Sequence, residues 1–504
     1  MTKKLYQLII TRLDGEAINS KSYQKKIIDL VEKGIGGFIL FGGKKDNIRK
    51  FIDRIQSYSE IPLFIASDIE YGVGQQIENC TVFPCQMAVS AAIKKNERDD
   101  VNMLESVIQA IADEAKDVGI NMPLIPVLDV NQDPDNPIIC TRAFSDKPED
   151  VSWFGSKYIE ILESSELISC AKHFPGHGDT SVDSHISLPI IKKSYKDLMK
   201  FDIFPFRDAV KAGVSGIMIG HLGILAIDDN PATLSKKIIT SLLRKEIGFD
   251  GLVITDALIM DALKNFKNIP SQCIKAGVDI LLHPVNPDIT VKELLNAIES
   301  KEILEERIDE SLSRILKAKE KIKRFKRLRV DYQRHKELSS KIIEMSISVL
   351  KNTKGLLPLH KKEKVCVFLA GDNRLFTSSP FKNHFRNIHT ISPSSQIMYK
   401  EWVKEDKVEE FCAITIFCIF TSVKAWKGTS GIDENVRDKI NELIKKARQS
   451  IIISFGSPYI LRYFKEAELL IAAYEATKQA QNAVIKCLES SLEFKGRIPV
   501  NIDL

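Results

Sequence analysis

Three of the chain's nine histidines fall between positions 173 and 185. They belong to the run Lys172-His173-Phe174-Pro175-Gly176-His177-Gly178-Asp179-Thr180-Ser181-Val182-Asp183-Ser184-His185. The segment leaves an apolar stretch, turns at Pro175–Gly176 and stays polar, so it is expected to be a loop and not a helix. Three readings fit it. The histidines could simply hydrogen-bond within a capping loop. They could ligate a metal, but a metal-dependent barrel hydrolase would want paired histidines on an early strand, and no histidine precedes His173. Or they could move protons. Asp183 stands two residues before His185, so its carboxylate can reach one imidazole nitrogen and leave the other to exchange protons near neutral pH. A reaction partner is available in Ile254-Thr255-Asp256-Ala257-Leu258. An aspartate closing an apolar strand is either a structural acceptor or, beside a proton-transferring histidine, a nucleophile for acetal chemistry.

These residues need elements to hold them. Eight short, Ile/Val-rich runs occur in the first two-thirds of the chain, at 8–13, 35–41, 62–68, 120–130, 168–174, 215–221, 251–258 and 279–284. They are flanked by Gly, Pro or Asp, which favours strands. Segments with helical periodicity lie between them, for example at 21–33, 102–117, 194–212 and 236–246. The alternation predicts a parallel sheet, closed or doubly wound. Asp68, Asp129, Lys172–His173, His221, Asp256 and His283 all stand where runs end. A closed barrel brings such ends to one face, so the expected fold is an α/β chain with a (β/α)8 TIM-like barrel. A charged helical stretch over 302–336 follows. Then a smaller α/β region repeats the strand pattern at 346–359, 365–371, 411–420, 450–459 and 468–474. The expected division is a barrel over 1–325, a linker over 326–345 and an α/β sandwich over 346–504.

Composition limits the alternatives. The 504 residues are 44% hydrophobic and 28% charged, ordinary values for a globular protein. Lys+Arg number 72 against 67 Asp+Glu, a net +5 that is weak over this length. The basic run 317–336 is expected to be a solvated helix and not a nucleic-acid patch. No apolar run approaches a membrane span. The apolar N-terminal stretch is short, broken by Thr11 and Arg12, and lacks a small-residue cleavage site, so no secretory signal is expected. The nine cysteines form no CxxC and several lie in apolar runs. They are expected to be reduced core residues of an intracellular protein, neither disulfides nor zinc ligands.

The run KHFPGHGDTSVDSH resembles the signature of the β-N-acetylglucosaminidase branch of glycoside hydrolase family 3. The likeness continues in order through ASDIEYG (66–72), PVLDVNQDPDNPII (126–139), TRAFSD (141–146), GIMIGH (216–221), PATLS (231–235) and VITDALIM (253–260). In the second half SVLKNTKGLLPL (348–359), ISFGSPYIL (453–461) and FKGRIPV (494–500) resemble the family's C-terminal α/β sandwich domain. The resemblance implies a retaining exo-β-N-acetylglucosaminidase. Asp256 would form the glycosyl–enzyme intermediate, and His185, oriented by Asp183, would act as acid and then base. Lys172, His173, Asp68 and Arg142 would bind sugar hydroxyls, while His177 would hold the loop. No cofactor and no metal is implied. The implied partner is an amino-sugar oligosaccharide or muropeptide, with no nucleic acid and no membrane. Cytoplasmic peptidoglycan recycling is the expected setting.

The sequence departs from the family pattern in one segment. The family runs Gly-Gly-Arg after its Asp-x-Glu, with a further arginine three residues on, where this chain has Val73 and Gln76. Three alternatives stay open: a GlcNAc phosphorylase, an inactive GlcNAc-binding protein, and a β-glucosidase. The Asp183-Ser184-His185 loop speaks against the last.

Overall fold

The computed structural model describes residues 1–323, 329–359, 364–391, 412–423 and 427–504. The chain forms two compact units. One comprises Met1–Phe83, Met103–Gln132 and Lys147–Lys336, and the other Pro84–Asn102, Asp133–Asp146 and Glu337–Leu504.

The first unit is built on eight parallel strands: β1 (Ile9–Asp14), β2 (Gly37–Phe41), β3 (Phe64–Ser67), β4 (Met122–Pro123), β5 (Cys170–Phe174), β6 (Gly216–Ile219), β7 (Leu252–Thr255) and β8 (Leu281–Leu282). Five pair in the order β8-β1-β2-β3-β4, and β5-β6-β7 pair among themselves. Two bridges join the sets, Val127 to Lys172 and Ile254 to Ile280. Backbone bonds from Leu128 N–H to Lys172 O (2.7 Å) and from Thr255 N–H to Ile280 O (3.0 Å) reinforce them. The sheet therefore closes on itself as an eight-stranded barrel.

Each expected strand is found; β1 is shifted by one residue from its run and the others are shorter than theirs. Such strands are buried on both faces and read as near-continuous hydrophobic stretches, so their ends cannot be seen in the pattern. Helices Lys21–Glu32, Lys45–Tyr58, Arg98–Val118, Pro148–Ser164, Phe204–Lys211, Ile269–Ala276 and Pro287–Glu299 alternate with the strands, and a π-helical segment, Lys237–Glu246, lies between β6 and β7. The last α-helix shows how sequence starts one. Pro287 occupies its first turn, and the Asn286 side chain accepts from the N–H groups of Asp288 (2.9 Å) and Ile289 (3.2 Å).

The charged stretch 302–336 is not one solvated helix. Helix Glu305–Ile322 and helix Tyr332–Ser346 are separate elements, the second covering much of the stretch read as a linker; residues 324–328 lie outside the described ones. Two lysines of the basic run turn inward. Lys319 Nζ is buried and donates to Gln7 Oε1 and Gly36 O, both at 2.8 Å, while Lys321 pairs with Glu163. Sequence periodicity records the charge of a lysine but not the acceptor its long stem can reach.

The second unit holds a six-stranded sheet: β9 (Ser348–Asn352), β10 (Val365–Gly371), β11 (Asn387–Ile391), β12 (Ile414–Phe420), β13 (Ser450–Phe455) and β14 (Leu469–Ala472). The order is β9-β14-β13-β12-β10-β11; β9 runs antiparallel to β14 and the other pairs are parallel. Ile416, Cys418, Ile451, Ile453, Ala480 and Val484 belong to its core cluster. Phe411, read as the start of the third run, lies outside the described residues.

One expectation about cysteine is corrected. Cys366 of β10 and Cys412 are joined as a disulfide, with their Cα atoms 5.7 Å apart. The bond links β10 to the segment that leads into β12; in the parallel ladder itself Val365 stands opposite Ile414 and Cys366 opposite Thr415. Cys80, Cys85, Cys140, Cys170, Cys273, Cys418 and Cys487 take no part in a disulfide and are buried.

Candidate active site

The strand ends β3, β5, β6 and β7, with the loops that follow them, carry the titratable groups. Lys172 of β5 is buried and forms two ion pairs of 2.7 Å, one with Asp68 just past β3 and one with buried Glu70. A buried cation is tolerable when paired and fully hydrogen-bonded, and two carboxylates achieve that here. His173, the next residue, sets its Nδ1 2.7 Å from Asp129 Oδ2. Asp129 Oδ1 accepts from the N–H groups of His173 (3.2 Å) and His177 (2.7 Å). Burial would raise the Asp129 carboxyl, but the charges of His173 and His177 and the donated bonds hold it below its ordinary value. Asp129 therefore fixes both the His173 ring and the first turn of the loop.

The loop is held along its length. Gly176 takes φ +129°, a conformation that L side chains rarely adopt. Gly178 passes so close to the end of β4's extension that a Cβ would lie 1.7 Å from Val130 O. His177 Nδ1 contacts Thr180 Oγ1 at 2.8 Å and its Nε2 contacts Ser184 Oγ at 3.0 Å, so both nitrogens serve the loop itself. At the far end Lys193 Nζ bonds Gln132 Oε1 (2.8 Å), Asp202 Oδ2 (2.9 Å) and Asp179 Oδ2 (3.2 Å). Burial pushes Asp202 up to about 6 against the pull of Lys193.

Between these anchors stand Asp183 and His185. Asp183 is buried, and its Oδ1 accepts from the His185 backbone N–H at 2.9 Å and meets His185 Nδ1 at 2.8 Å. A carboxylate can only accept, so Nδ1 carries a proton and Nε2 is left for other chemistry. The His185 side chain is partly open to solvent, at 23%. Asp256 follows β7. Its backbone N–H bonds Ile219 O at 3.0 Å, and its Oδ1 accepts from the Ala257 N–H at 2.7 Å. Burial would raise this carboxyl, yet His173, His221 and His185, with the Ala257 donor, bring it below its ordinary value. Asp256 thus ends β7 as a buried carboxylate, and His185 is an imidazole oriented by Asp183 on the loop after β5.

Residues 1–318 match the family model described as the glycosyl hydrolase family 3 N terminal domain. The chain belongs to glycoside hydrolase family 3. Among its relatives, beta-hexosaminidase A of Pseudoalteromonas piscicida is 32% identical over 419 residues, which span 75% of this chain and 69% of that one. The beta-hexosaminidase of Nitrosomonas eutropha is 31% identical over 272 residues, 53% of this chain and 78% of that one. A solved family 3 beta-N-acetylglucosaminidase from Paenibacillus sp. str. FPU-7 superposes with a TM-score of 0.85 at 26% identity, covering 100% of this chain and 99% of the other. The protein is therefore a glycoside hydrolase, with the α/β barrel and α/β sandwich of family 3.

The structure places six of the expected site residues on the barrel unit: Lys172 and His173 within β5, Asp68 and Asp256 just past the ends of β3 and β7, and Asp183 and His185 well along the loop that follows β5. Arg142 belongs to the second unit, where its Nη1 donates to Ile138 O at 2.8 Å and its carbonyl accepts from Gln86 Nε2 at 2.8 Å. The segment that departs from the family pattern is ordered without its arginines. Val73 is fully buried, Gln75 Oε1 accepts from the Tyr71 N–H at 2.8 Å, and Gln76 Nε2 donates to Asp68 O at 3.2 Å.

Two residues gain roles that their spacing does not reveal. Glu70 grips Lys172. Buried His221 contacts Thr233 Oγ1 through Nδ1 (2.7 Å) and donates from Nε2 to Ala257 O (3.1 Å), bracing the turn that carries Asp256. Among the described residues no group of three or more His, Cys, Asp or Glu side chains is arranged as a metal site, and no helix is long and apolar enough to cross a membrane.

Proposed function

We propose that the protein is a retaining exo-β-N-acetylglucosaminidase that removes terminal, non-reducing β-linked GlcNAc. The observation that carries the reading is the Asp183–His185 contact of 2.8 Å on the loop after β5, in the same barrel unit as Asp256, whose carboxyl the surrounding histidines hold below its ordinary value. The names of the relatives support the amino-sugar specificity. In the first step Asp256 attacks the anomeric carbon, and the His185 imidazolium gives its Nε2 proton to the leaving oxygen. In the second, neutral His185 takes a proton from water at Nε2, and the water's oxygen displaces Asp256. Asp183 keeps the Nδ1 proton in place throughout and stabilises the charged ring. Lys172, His173 and Asp68 bind sugar hydroxyls; for Arg142, on the second unit, a sugar-binding role is carried by the family resemblance alone. Residues 1–325 serve as the catalytic barrel, 326–345 connect it to the next domain, and 346–504 form a supporting sandwich domain. The substrate class is GlcNAc-bearing peptidoglycan fragments, muropeptides included, and the setting is their recycling in the cytoplasm.

The deciding experiment measures nitrophenol release from the β-GlcNAc and β-glucose glycosides, with and without phosphate, beside Asp256→Ala. The expected result is turnover of the GlcNAc compound alone, abolished in the variant while the fold is kept. Near-normal activity of Asp256→Ala overturns the nucleophile. A phosphate-dependent gain with GlcNAc-1-phosphate as product replaces hydrolysis by phosphorolysis. Binding of GlcNAc without turnover makes the protein a sugar-binding relative.

A further inference from the structure

Arg12 lies inside β1, where Ile9, Ile10, Thr11 and Leu13 are buried, yet 48% of its side chain is exposed. Register fixes the direction in which it points. Arg12 stands opposite Ile39 of β2 and Asp14 opposite Phe41, while Ile39 stands opposite Ala66 of β3. Side chains alternate along a strand, so Arg12, Asp14, Phe41 and Asp68 share one face of the sheet. That face is the inner one, because Asp68 reaches past β4 to Lys172 of β5. The guanidinium carbon sits 5.0 Å from the centre of the Phe41 ring, and Phe41 stands 6.0 Å from the ring of His283, just past β8. His283 is pushed down to about 4, first by burial and then by the charge of Arg12, with Asp68 opposing.

Among the described residues the polar contact of Arg12 is a single long one, Nη2 to Asp14 Oδ2 at 3.4 Å. A guanidinium carries five N–H donors in a rigid fork. The Asp14 contact engages Nη2 alone. The two positions at which the family sequence resembled here has arginines hold buried Val73 and a Gln76 turned to the Asp68 carbonyl.

We propose that Arg12 is a substrate-binding residue, its fork donating to a sugar hydroxyl on the flank held by Asp68 and making there the arginine contact that positions 73 and 76 cannot. This rests on the reading of the barrel mouth as a glycosidase sugar site. A charge-assisted bond to a hydroxyl discriminates strongly against a sugar that lacks it, because the donor is then left unpaired.

The test is a cycle of variants and substrates. Arg12→Met and Arg12→Gln are assayed on nitrophenyl β-GlcNAc and on analogues with the C3, C4 or C6 hydroxyl removed in turn. Arg12→Met is expected to lower kcat/KM on the parent about tenfold or more, while one analogue shows a loss under about twofold because its contact is already gone. Arg12→Gln, which keeps neutral donors, should fall between, and the thermal midpoint should stay that of the wild type. Equal losses on all four substrates, or no loss on the parent, overturn the proposal. If the wild type turns over only glucosides, the GlcNAc specificity falls instead, and the same cycle in the glucose series still decides the role of Arg12.

Discussion

In the mechanism we propose, one imidazole nitrogen gives a proton in the first step and takes one in the second. The geometry permits this because Asp183 occupies Nδ1, which leaves Nε2 as the exchanging atom. The consequence depends on the leaving group. A nitrophenolate departs with little protonation, whereas a sugar alkoxide does not depart without it. His185→Ala is therefore expected to slow chitobiose cleavage by about two orders of magnitude or more and nitrophenyl-GlcNAc cleavage far less, and equal losses on the two substrates would exclude proton donation to the leaving oxygen. Asp183→Asn should follow the same pattern more weakly, since an amide still accepts from Nδ1 but no longer stabilises the imidazolium. These residues are legible in sequence because Asp183 and His185 lie two positions apart and His173 and His177 lie just upstream. Glu70, Asp129 and Arg12 are less so. Their partners come from other strands, and only register reveals that Arg12, a break in an apolar run, looks into the barrel.

At the scale of elements, the barrel is readable because strands buried on both faces appear as repeated apolar runs separated by helical periods. What patterning misses has physical causes. β11 is short and only half covered, so its sequence NIHTI carries no strong period. The basic run of helix Glu305–Ile322 looks solvated because a lysine's stem hides where its charge ends. Lys319 shows the effect: it is lowered to about 7 by burial, while Nζ is held by Gln7 and Gly36 over the ring of Phe64. The sign follows from proton binding. Between about 7 and the ordinary lysine value the unfolded chain binds a proton that the folded chain does not, so stability from this group rises with pH across that window, and the full penalty applies below it. Lys319→Met removes the charge but leaves the Gln7 and Gly36 acceptors unpaired, a pH-independent cost. The difference in thermal midpoint, variant minus wild type, should therefore become more negative as pH rises from 7 to 10. A difference that is flat with pH would show that Lys319 stays charged in the fold.

At the scale of the whole molecule, the two units are maintained differently. The barrel closes through backbone bridges, and the described residues place no disulfide in it, whereas the second unit ties Cys366 of β10 to Cys412 across 46 residues of chain. Nothing in the spacing announces this link. Cysteines in apolar runs look alike whether or not a neighbour lies across the ladder, and Cys418, two turns of the pleat along β12, remains free. A cross-link of this span restricts the unfolded chain by up to about 4 kcal/mol in the loop-entropy account, while the bonded sulfurs make little difference to a strand that Phe417, Ile419 and Phe420 already bury. Cys412→Ser is thus expected to keep the fold and to lower the midpoint of thermal unfolding by several degrees in non-reducing buffer. The same comparison in dithiothreitol should erase the gap, because the wild type then loses the link as well. Midpoints that coincide in both buffers would mean that the second unit owes its stability to the sheet alone.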